Sequence, residues 1–352
     1  MSKTRVIGLD IGTTHVRAAE VEFGNGGPAG RGVPEVVRFG QVALPPGAVR
    51  DGEVAEPQTV ASALRQLWSH GKFSSKDVIV GVGNQRVLVR DLDLPAMPLA
   101  QLRSSLSFQV QDLIPVAVDD ALLDYYPSST ANGPHGPVYR GLLVAATKET
   151  VKANVSAVEL AGLRATLVDL NAFALVRVQA RGELAASTVA LVDIGARVTN
   201  IVIVAHGSPR FVRILPSGGQ DVTDAVANAM NISIEQAEGL KREIGVGYTV
   251  IPELEPAKEA ISDVASSLVE AIRNTLVYYA SSNPGAAVTQ VLITGGGSFL
   301  PGLGQFLSSA SRVTVAFGQP LSGMRVAGSA GDLSAVQSLL AVSVGLAFGV
   351  AA

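Results

Sequence analysis

The same acidic, glycine-containing turn occurs twice in this chain, at Asp10-Ile11-Gly12 and at Asp193-Ile194-Gly195. Each copy ends an apolar run that reads as a buried strand, Arg5–Ile11 in one half and Val189–Ile194 in the other. Each then leads into a second β-rich run. A turn repeated in this way implies two related halves facing each other across a cleft. One such turn alone would be an ordinary hairpin corner. Two in register point to phosphate, because glycine lets backbone N–H groups approach an anion with no side chain in the way. An aspartate beside an anion makes sense when magnesium, usually still hydrated, lies between carboxylate and phosphate. The expected phosphate contacts are therefore Asp10, Gly12, Thr13 and Thr14 on one loop and Asp193 and Gly195 on the other. Asp10 and Asp193 are the expected Mg2+ residues, directly or through water.

A third element, VLITGGGSFLPGL at residues 291–303, ends a buried strand in Gly295, Gly296 and Gly297, followed by Ser298 and a helix start near Pro301. Such a turn lets backbone pass close to a flat base or a phosphate at a helix N-terminus. Ser217, Gly218 and Gly219 end another strand before a helix and offer a similar approach. Glu238 and Lys241, three apart on a helix, share a face. They either grip a ribose and base or form a solvated ion pair. The sequence has no G-x-x-x-x-G-K-[ST] motif, which excludes a P-loop site.

Composition narrows the class. The chain has 352 residues, 47% of them hydrophobic and 16% charged, with a net charge of −3. That length suits two cores, and that apolar content argues against a disordered chain. No basic excess suggests a nucleic-acid surface. There is no cysteine, which excludes disulfides, thiolate metal sites and cysteine nucleophiles. His15, His70, His135 and His206 show no metal-ligand spacing. The first residues, MSKTRVIGLDIG, do not read as a signal peptide, so a cytoplasmic location is expected. Residues 333–352 carry no charged side chain. Ser334, Gln337, Ser338 and Ser343 dilute this run, while Ala341, Gly345, Ala347 and Gly349 suit close packing on a sheet. A buried C-terminal helix is expected rather than direct membrane insertion.

Periodicity predicts strands at His15–Phe23, Val36–Leu44 and Asp77–Val82 and a helix at Pro57–His70. Gly24–Gly32 reads as an exposed loop. The stretch from Arg86 to Asp169 reads as a unit of its own in β-α-β-β-α-β order. Its strands are Val87–Leu94, Ala121–Pro127, Gly141–Thr147 and Leu163–Leu170. Its helices are Leu99–Leu113 and Glu149–Ala161, and residues 132–137 form a polar loop. Thr199–Val204, Arg210–Leu215 and Val288–Thr294 are expected strands of the second half. Helices are expected at Gln220–Met230, Ile234–Ile244 and Ala257–Ser281, the last with a stripe of Ile261, Val264, Leu268, Ile272 and Leu276.

In their order, GLDIGTT, LVDIGARVTNIVIV, the SGG and AEGLK segments and VLITGGGSFLPGL resemble the motifs of the actin-like ATPase superfamily over nearly the whole chain. Within it, Val87–Pro95, Met97, Ile114-Pro115 and Leu123-Asp124-Tyr125-Tyr126 resemble the PilM family of type IV pilus assembly, on the FtsA-like branch. Leu44–Gly47, Asp51-Gly52 and Val342–Leu346 fit it as well. The sequence departs at Pro98–Arg103, which lacks the family's usual acidic pair, and at a longer loop over Asn25–Gly32.

The resemblance implies an α/β, actin-like fold: two duplicated ribonuclease-H-like domains around a nucleotide cleft, with an inserted FtsA/PilM-type subdomain. Residues 1–85 would form the N-terminal part of domain 1 and 86–169 the partner-binding insertion. Residues 170–186 would be a return helix, 187–335 domain 2, and 336–352 the buried C-terminal helix. The implied cofactors are ATP and Mg2+. The implied partner is the N-terminal cytoplasmic peptide of a PilN-like inner-membrane protein, bound near Arg86–Leu94 and the Leu99–Leu113 helix, with pilus motor ATPases nearby. Most apolar positions of that helix are core. The implied role is an adaptor at the inner face of the cytoplasmic membrane, with slow ATP hydrolysis at most and room for self-association. Two other functions share the fold: a sugar or acid kinase, which needs a positioned base, and a filament-forming protein.

Overall fold

The computed structural model describes residues 3–30, 32–134 and 136–349. Arg31 of the Gly24–Gly32 loop, His135 of the 132–137 loop and residues 350–352 of the expected C-terminal helix lie outside these described residues.

The first half lays down β1 (Thr4–Ile11), β2 (His15–Phe23), β3 (Glu35–Ala43), the short β4 (Val49–Arg50) and β5 (Glu53–Val54), α1 (Pro57–Gly71) and β6 (Asp77–Val82). Then come β7 (Val87–Pro95), α2 (Leu99–Val110), β8 (Ala121–Gly133), β9 (Gly136–Thr147), α3 (Lys148–Leu160), β10 (Arg164–Leu170) and α4 (Asn171–Gln179). The second half holds β11 (Thr188–Ile194), β12 (Thr199–Ala205), β13 (Ser208–Leu215), α5 (Gly219–Met230), α6 (Ile234–Ile244), α7 (Glu255–Ser282) and β14 (Gln290–Thr294). It closes with α8 (Leu303–Ser311), β15 (Thr314–Phe317), β16 (Arg325–Val326) and α9 (Ala341–Ala347).

Two large sheets are wound alike. One runs β10-β6-β1-β2-β3-β16 and the other β13-β12-β11-β14-β15. In each, the first three strands form an antiparallel meander, and two later strands join parallel on the far side of the first. This is the duplication that the repeated turn implied. β1 and β11 are central strands in both, so their apolar runs are buried on both faces.

The insertion differs from the sequence expectation. Its sheet has three strands, β7-β9-β8, because β10 leaves it and pairs in parallel with β6. Asp77 and Arg164 seal the start of that pairing with a two-pronged ion pair of 2.7 and 2.6 Å. The expected polar loop at 132–137 is mostly ladder: β8 and β9 continue to Gly133 and Gly136, since strand pairing uses backbone groups whatever the side chains. The α2 helix stops at Val110, and turns lead from it to Pro115.

Helix α6 starts at a reciprocal cap, with Ser233 Oγ accepting from the Gln236 N–H and the Gln236 side chain accepting from the Ser233 N–H. Such a cap contributes about 1 kcal/mol. Helix α7 buries Ile261, Leu268, Ile272 and Leu276 against the second sheet, and Val264 is half-buried. Every residue of α9 is buried. A side-chain carbon on Gly8 of β1 would overlap the Ser343 carbonyl, so α9 lies directly on the first sheet. No helix among the described residues is long and apolar enough to cross a membrane.

Candidate functional site

The repeated turns have the same local geometry. In the first, the Gly12 N–H donates to the His15 carbonyl at 3.0 Å; in the second, the Gly195 N–H donates to the Val198 carbonyl at 2.9 Å. Asp10 sits opposite Arg17 in the β1–β2 ladder, and Asp193 sits opposite Asn200 in the β11–β12 ladder. Both turns open into one cavity of about 960 Å³ lined from both halves. Asp10, Gly12, Thr13, Thr14, Asp193, Gly195, Gly219, Glu238, Lys241, Gly295, Gly296 and Gly297 all line it.

The three glycine-containing loops of the second half are bonded into one wall. The Gly219 N–H donates to the Gly195 carbonyl at 2.9 Å, and the Gln220 N–H to the Ala196 carbonyl at 2.7 Å. Gly295 has φ +81°, and a side-chain carbon there would overlap the Ile194 carbonyl. At Gly218 such a carbon would come to 2.5 Å from the Gly195 carbonyl. Only glycine fits either position without moving backbone.

Three of the expected site residues brace the wall without lining the cavity. Ser298 is buried, and its Oγ donates to the Gly295 carbonyl at 2.7 Å. The Gly218 N–H donates to an Asp221 carboxylate oxygen at 2.7 Å. The Ser217 carbonyl accepts from Thr199 Oγ1 at 2.7 Å.

The electrostatics are those of a site short of positive charge. Burial pushes the Asp193 carboxyl up to about 6, and the neighbouring Asp10 charge adds to the rise. A 3.0 Å hydrogen bond from Thr294 Oγ1 offsets part of it. Burial likewise raises Asp10, against the pull of Arg17, whose guanidinium lies 3.9 Å away. Burial and Arg17 together lower the His15 imidazole. Burial and the Asp10 charge both hold Asp193 toward its protonated form, and a cation placed between such carboxylates and a ligand favours the ionised pair.

Glu238 and Lys241 do not form a solvated pair. Lys241 is buried, and its ammonium donates to the Gly219 carbonyl at 3.1 Å, to Thr223 Oγ1 at 2.9 Å and to Glu238. Glu238 also accepts from Thr223 Oγ1 at 2.6 Å and from Arg242 Nε at 2.8 Å. Lys241 thus ties α6 to the Gly219 loop.

The structure adds residues that the sequence reading missed. Arg17 was readable: a four-residue turn from Gly12 to His15 places it opposite Asp10. Asn154 on α3, Asn171 at the start of α4 and Asn200 on β12 also line the cavity. Each has a buried side-chain oxygen without a hydrogen-bond partner. An isolated asparagine carries no motif, so nothing in the sequence marked these three. Unpartnered buried polar atoms on residues that line a cavity fit a polar ligand or its water nearby.

The residues present fit a magnesium nucleotide. Glycine walls leave space for phosphates, and Asp10 and Asp193 supply hard oxygen donors, with the three unpartnered asparagines at the cavity's edge. Among the described residues no cluster of three or more His, Cys, Asp or Glu side chains could hold a metal alone. A cation here would share its shell with phosphate and water, as Mg2+ commonly does.

The sequence matches the family of type IV pilus assembly protein PilM over residues 8–350. The chain belongs to the PilM family. A solved structure of a PilM-PilN type IV pilus biogenesis complex shares 26% sequence identity, covers 97% of this chain and 97% of that one, and superposes with a TM-score of 0.83. Cell division protein FtsA of Bacillus subtilis is 21% identical over 267 residues, covering 69% of this chain and 58% of FtsA. The chain thus spans less than two thirds of that relative's length. Among structures sharing the fold, MreB5 of Spiroplasma citri bound to ADP gives a TM-score of 0.53 at 14% identity, covering 97% of this chain and 94% of MreB5. The fold is therefore the actin-like one, with PilM as its branch.

Proposed function

We propose that this PilM-family chain is an ATP-binding adaptor of the type IV pilus assembly machinery, and that it takes the N-terminal cytoplasmic peptide of a PilN-like membrane protein. The nucleotide part rests on one observation: Asp10 and Asp193, on equivalent turns of two like-wound sheets, converge on one glycine-walled cavity. Asp10 and Asp193 would hold Mg2+ directly or through water. Gly12, Thr13, Thr14, Gly195 and the Gly295–Gly297 backbone would receive phosphate. Lys241 and Glu238, fixed by Thr223 and the Gly219 carbonyl, would border the ribose and base. Bound Mg2+ would supply charge to phosphate oxygens; the protein's own part is to orient them and hold the two halves together.

The peptide part rests on family membership and on the insertion. The unit proposed to take the peptide is the β7-β9-β8 sheet with α2, because α3 and β10 return to the first half. Burial of Leu102, Leu106 and Val110 makes one face of α2 core. Leu99, Phe108, Leu122 and Tyr126 remain exposed on the same unit and offer apolar contacts. The role of the cleft would be to set the shape in which this unit is presented.

Calorimetric titration of the purified chain with ATP, with and without Mg2+, followed by titration with the PilN N-terminal peptide, tests both parts separately. Magnesium-dependent ATP binding together with peptide binding is expected. Absence of ATP binding to folded protein removes the clasp, and absence of peptide binding removes the adaptor.

A further inference from the structure

The short β4–β5 hairpin takes no part in the two large sheets. Its segment nevertheless reaches from one repeated turn to the other. At the start, the Leu44 N–H donates to the Thr14 carbonyl of the first turn at 2.8 Å. Ala48, Val49 and Val54 are buried in the core of the first half. The Ala55 and Glu56 N–H groups both donate to the Ala48 carbonyl and close the base of the hairpin. Arg50 is opposite Glu53 in the ladder, so Asp51 and Gly52 form a two-residue turn, with φ +50° and +78°. Positive φ at both central residues is the tight hairpin turn for which Asp-Gly is a preferred sequence.

The tip of this turn is fastened to the first half and bears on the second. Asn84 is 1% exposed; its Nδ2 donates to the Gly52 carbonyl at 3.2 Å, and its Oδ1 accepts from the Arg86 N–H at 3.0 Å. Arg86 Nε pairs with Glu53 beside the turn at 2.7 Å. Across the cleft stands Val198, whose carbonyl closes the second repeated turn by accepting from the Gly195 N–H. A side-chain carbon on Gly52 would lie 3.0 Å from Asn84 Cβ and 3.1 Å from Val198 Cγ2. Glycine therefore fills the space between the two halves at this point and leaves no room for a side chain. Gly52 and Val198 both line the nucleotide cavity, as does Pro46. Elsewhere the halves are joined by packed elements, such as α4 on β11, β12 and β13. The Gly52–Val198 contact instead joins two turns in the cavity wall, and it must part before the cavity widens there.

We infer that the Asp51-Gly52 turn is a latch across the cleft, and that the parting of Gly52 from Val198 sets the rate at which nucleotide enters and leaves. The inference rests on the reading of the cavity as a nucleotide site and adds its regulation. One end of the latch segment is bonded to the first phosphate turn and its tip bears on the second, so it spans the separation that must change for exchange. Opening of such a cover commonly limits release of the molecule beneath it.

The chain has no cysteine, so a pair introduced at the contact is the only one able to form a disulfide. In G52C/V198C the sulfur introduced at position 198 can take the place of the Val198 methyl carbon, within disulfide reach of the one at position 52. Full-length protein loaded with a fluorescent ATP analogue and Mg2+ is oxidised with diamide and chased with excess ATP, and stopped-flow fluorescence follows release. The oxidised variant is expected to release the analogue at least about tenfold more slowly than the same protein after reduction. V198A, which only removes methyl groups from the contact, should raise the entry and release rates together, each at least about threefold, whereas a damaged phosphate turn raises release alone. Failure of the native chain to bind the analogue overturns the nucleotide reading and the latch with it. Binding with the same release before and after oxidation, or V198A raising release alone, overturns the latch only. A double variant that is folded by thermal melting but whose sulfurs do not join does the same. If the double variant does not fold, the V198A rates decide.

Discussion

At the residue scale, Asp193 carries the sharpest consequence. Its carboxyl is pushed from 3.8 to about 6 by burial and by Asp10. The folded state therefore holds a proton that the unfolded chain has released between about pH 4 and pH 6. Stability is greatest below that window and falls as pH rises through it, by an amount on the order of 3 kcal/mol for two pH units. D193N removes the ionisation. We expect it to raise the melting temperature of the ligand-free protein by several degrees at pH 7.5 and to give no gain near pH 4. The same substitution should lower magnesium-dependent ATP affinity at least about tenfold. For the native chain, that affinity should fall as pH drops below about 6, because protonation of Asp193 removes the charge that Mg2+ requires. Melting curves and calorimetry at three pH values check all of this, and an unstabilised D193N at pH 7.5 would contradict the charge argument. Asp193 was legible in the sequence because it sits in a repeated motif. Asn154, Asn171 and Asn200 were not, because their role comes from three separate elements meeting at one cavity.

At the element scale, the second-half wall and α6 respond oppositely to an added methyl. At Gly218 the new carbon lies 2.5 Å from the Gly195 carbonyl, so the loops must separate. G218A should cost about 1–3 kcal/mol and abolish ATP binding, read by melting with and without Mg-ATP. Gly239, in the middle of α6, meets nothing within 4 Å. There G239A should stabilise the ligand-free chain by about 0.5–1 kcal/mol through helix propensity alone. If the nucleoside rests on that turn of α6, the same methyl weakens ATP binding while raising the melting temperature, and the two readings together decide it. Element positions were largely readable from apolar periodicity: β1, β2, β6 and α6 lie within a residue of expectation. Pairing was less so. The sequence of β10, Arg164–Leu170, alternates like any strand, and nothing in it tells whether β9 or β6 is its neighbour. That choice is made by long-range packing, with α3 carrying the chain back onto the first half before β10 begins.

At the scale of the whole molecule, the insertion is joined to both halves. Ser128 Oγ on β8 donates to the Pro209 carbonyl at 3.0 Å, and Arg210 Nη1 donates to Ser129 Oγ at 3.3 Å. Tyr126 of β8 also packs against Phe173 of α4, with ring centroids 5.2 Å apart and the rings tilted by 46°. β13 belongs to the same sheet as Asp193, so a shift of the second half on closing around ATP would be delivered to the β7-β9-β8 sheet through these bonds. Coupling of this kind is reciprocal: ATP should change peptide affinity by the same factor as the peptide changes ATP affinity, with factors of about 5–150 typical. The double variant S128A/R210A removes both hydrogen bonds, which are partly open to solvent, without touching the cavity or α2. We expect it to bind ATP alone and the PilN peptide alone within about twofold of the native chain, and to reduce the effect of either ligand on the other to near unity. Titrating the peptide at zero and saturating ATP in both proteins measures it. A coupling factor above unity that S128A/R210A leaves unchanged would place the connection elsewhere, either in the packing of β13 against β7 or in α4, which follows β10 of the first sheet and carries Phe173 against the insertion.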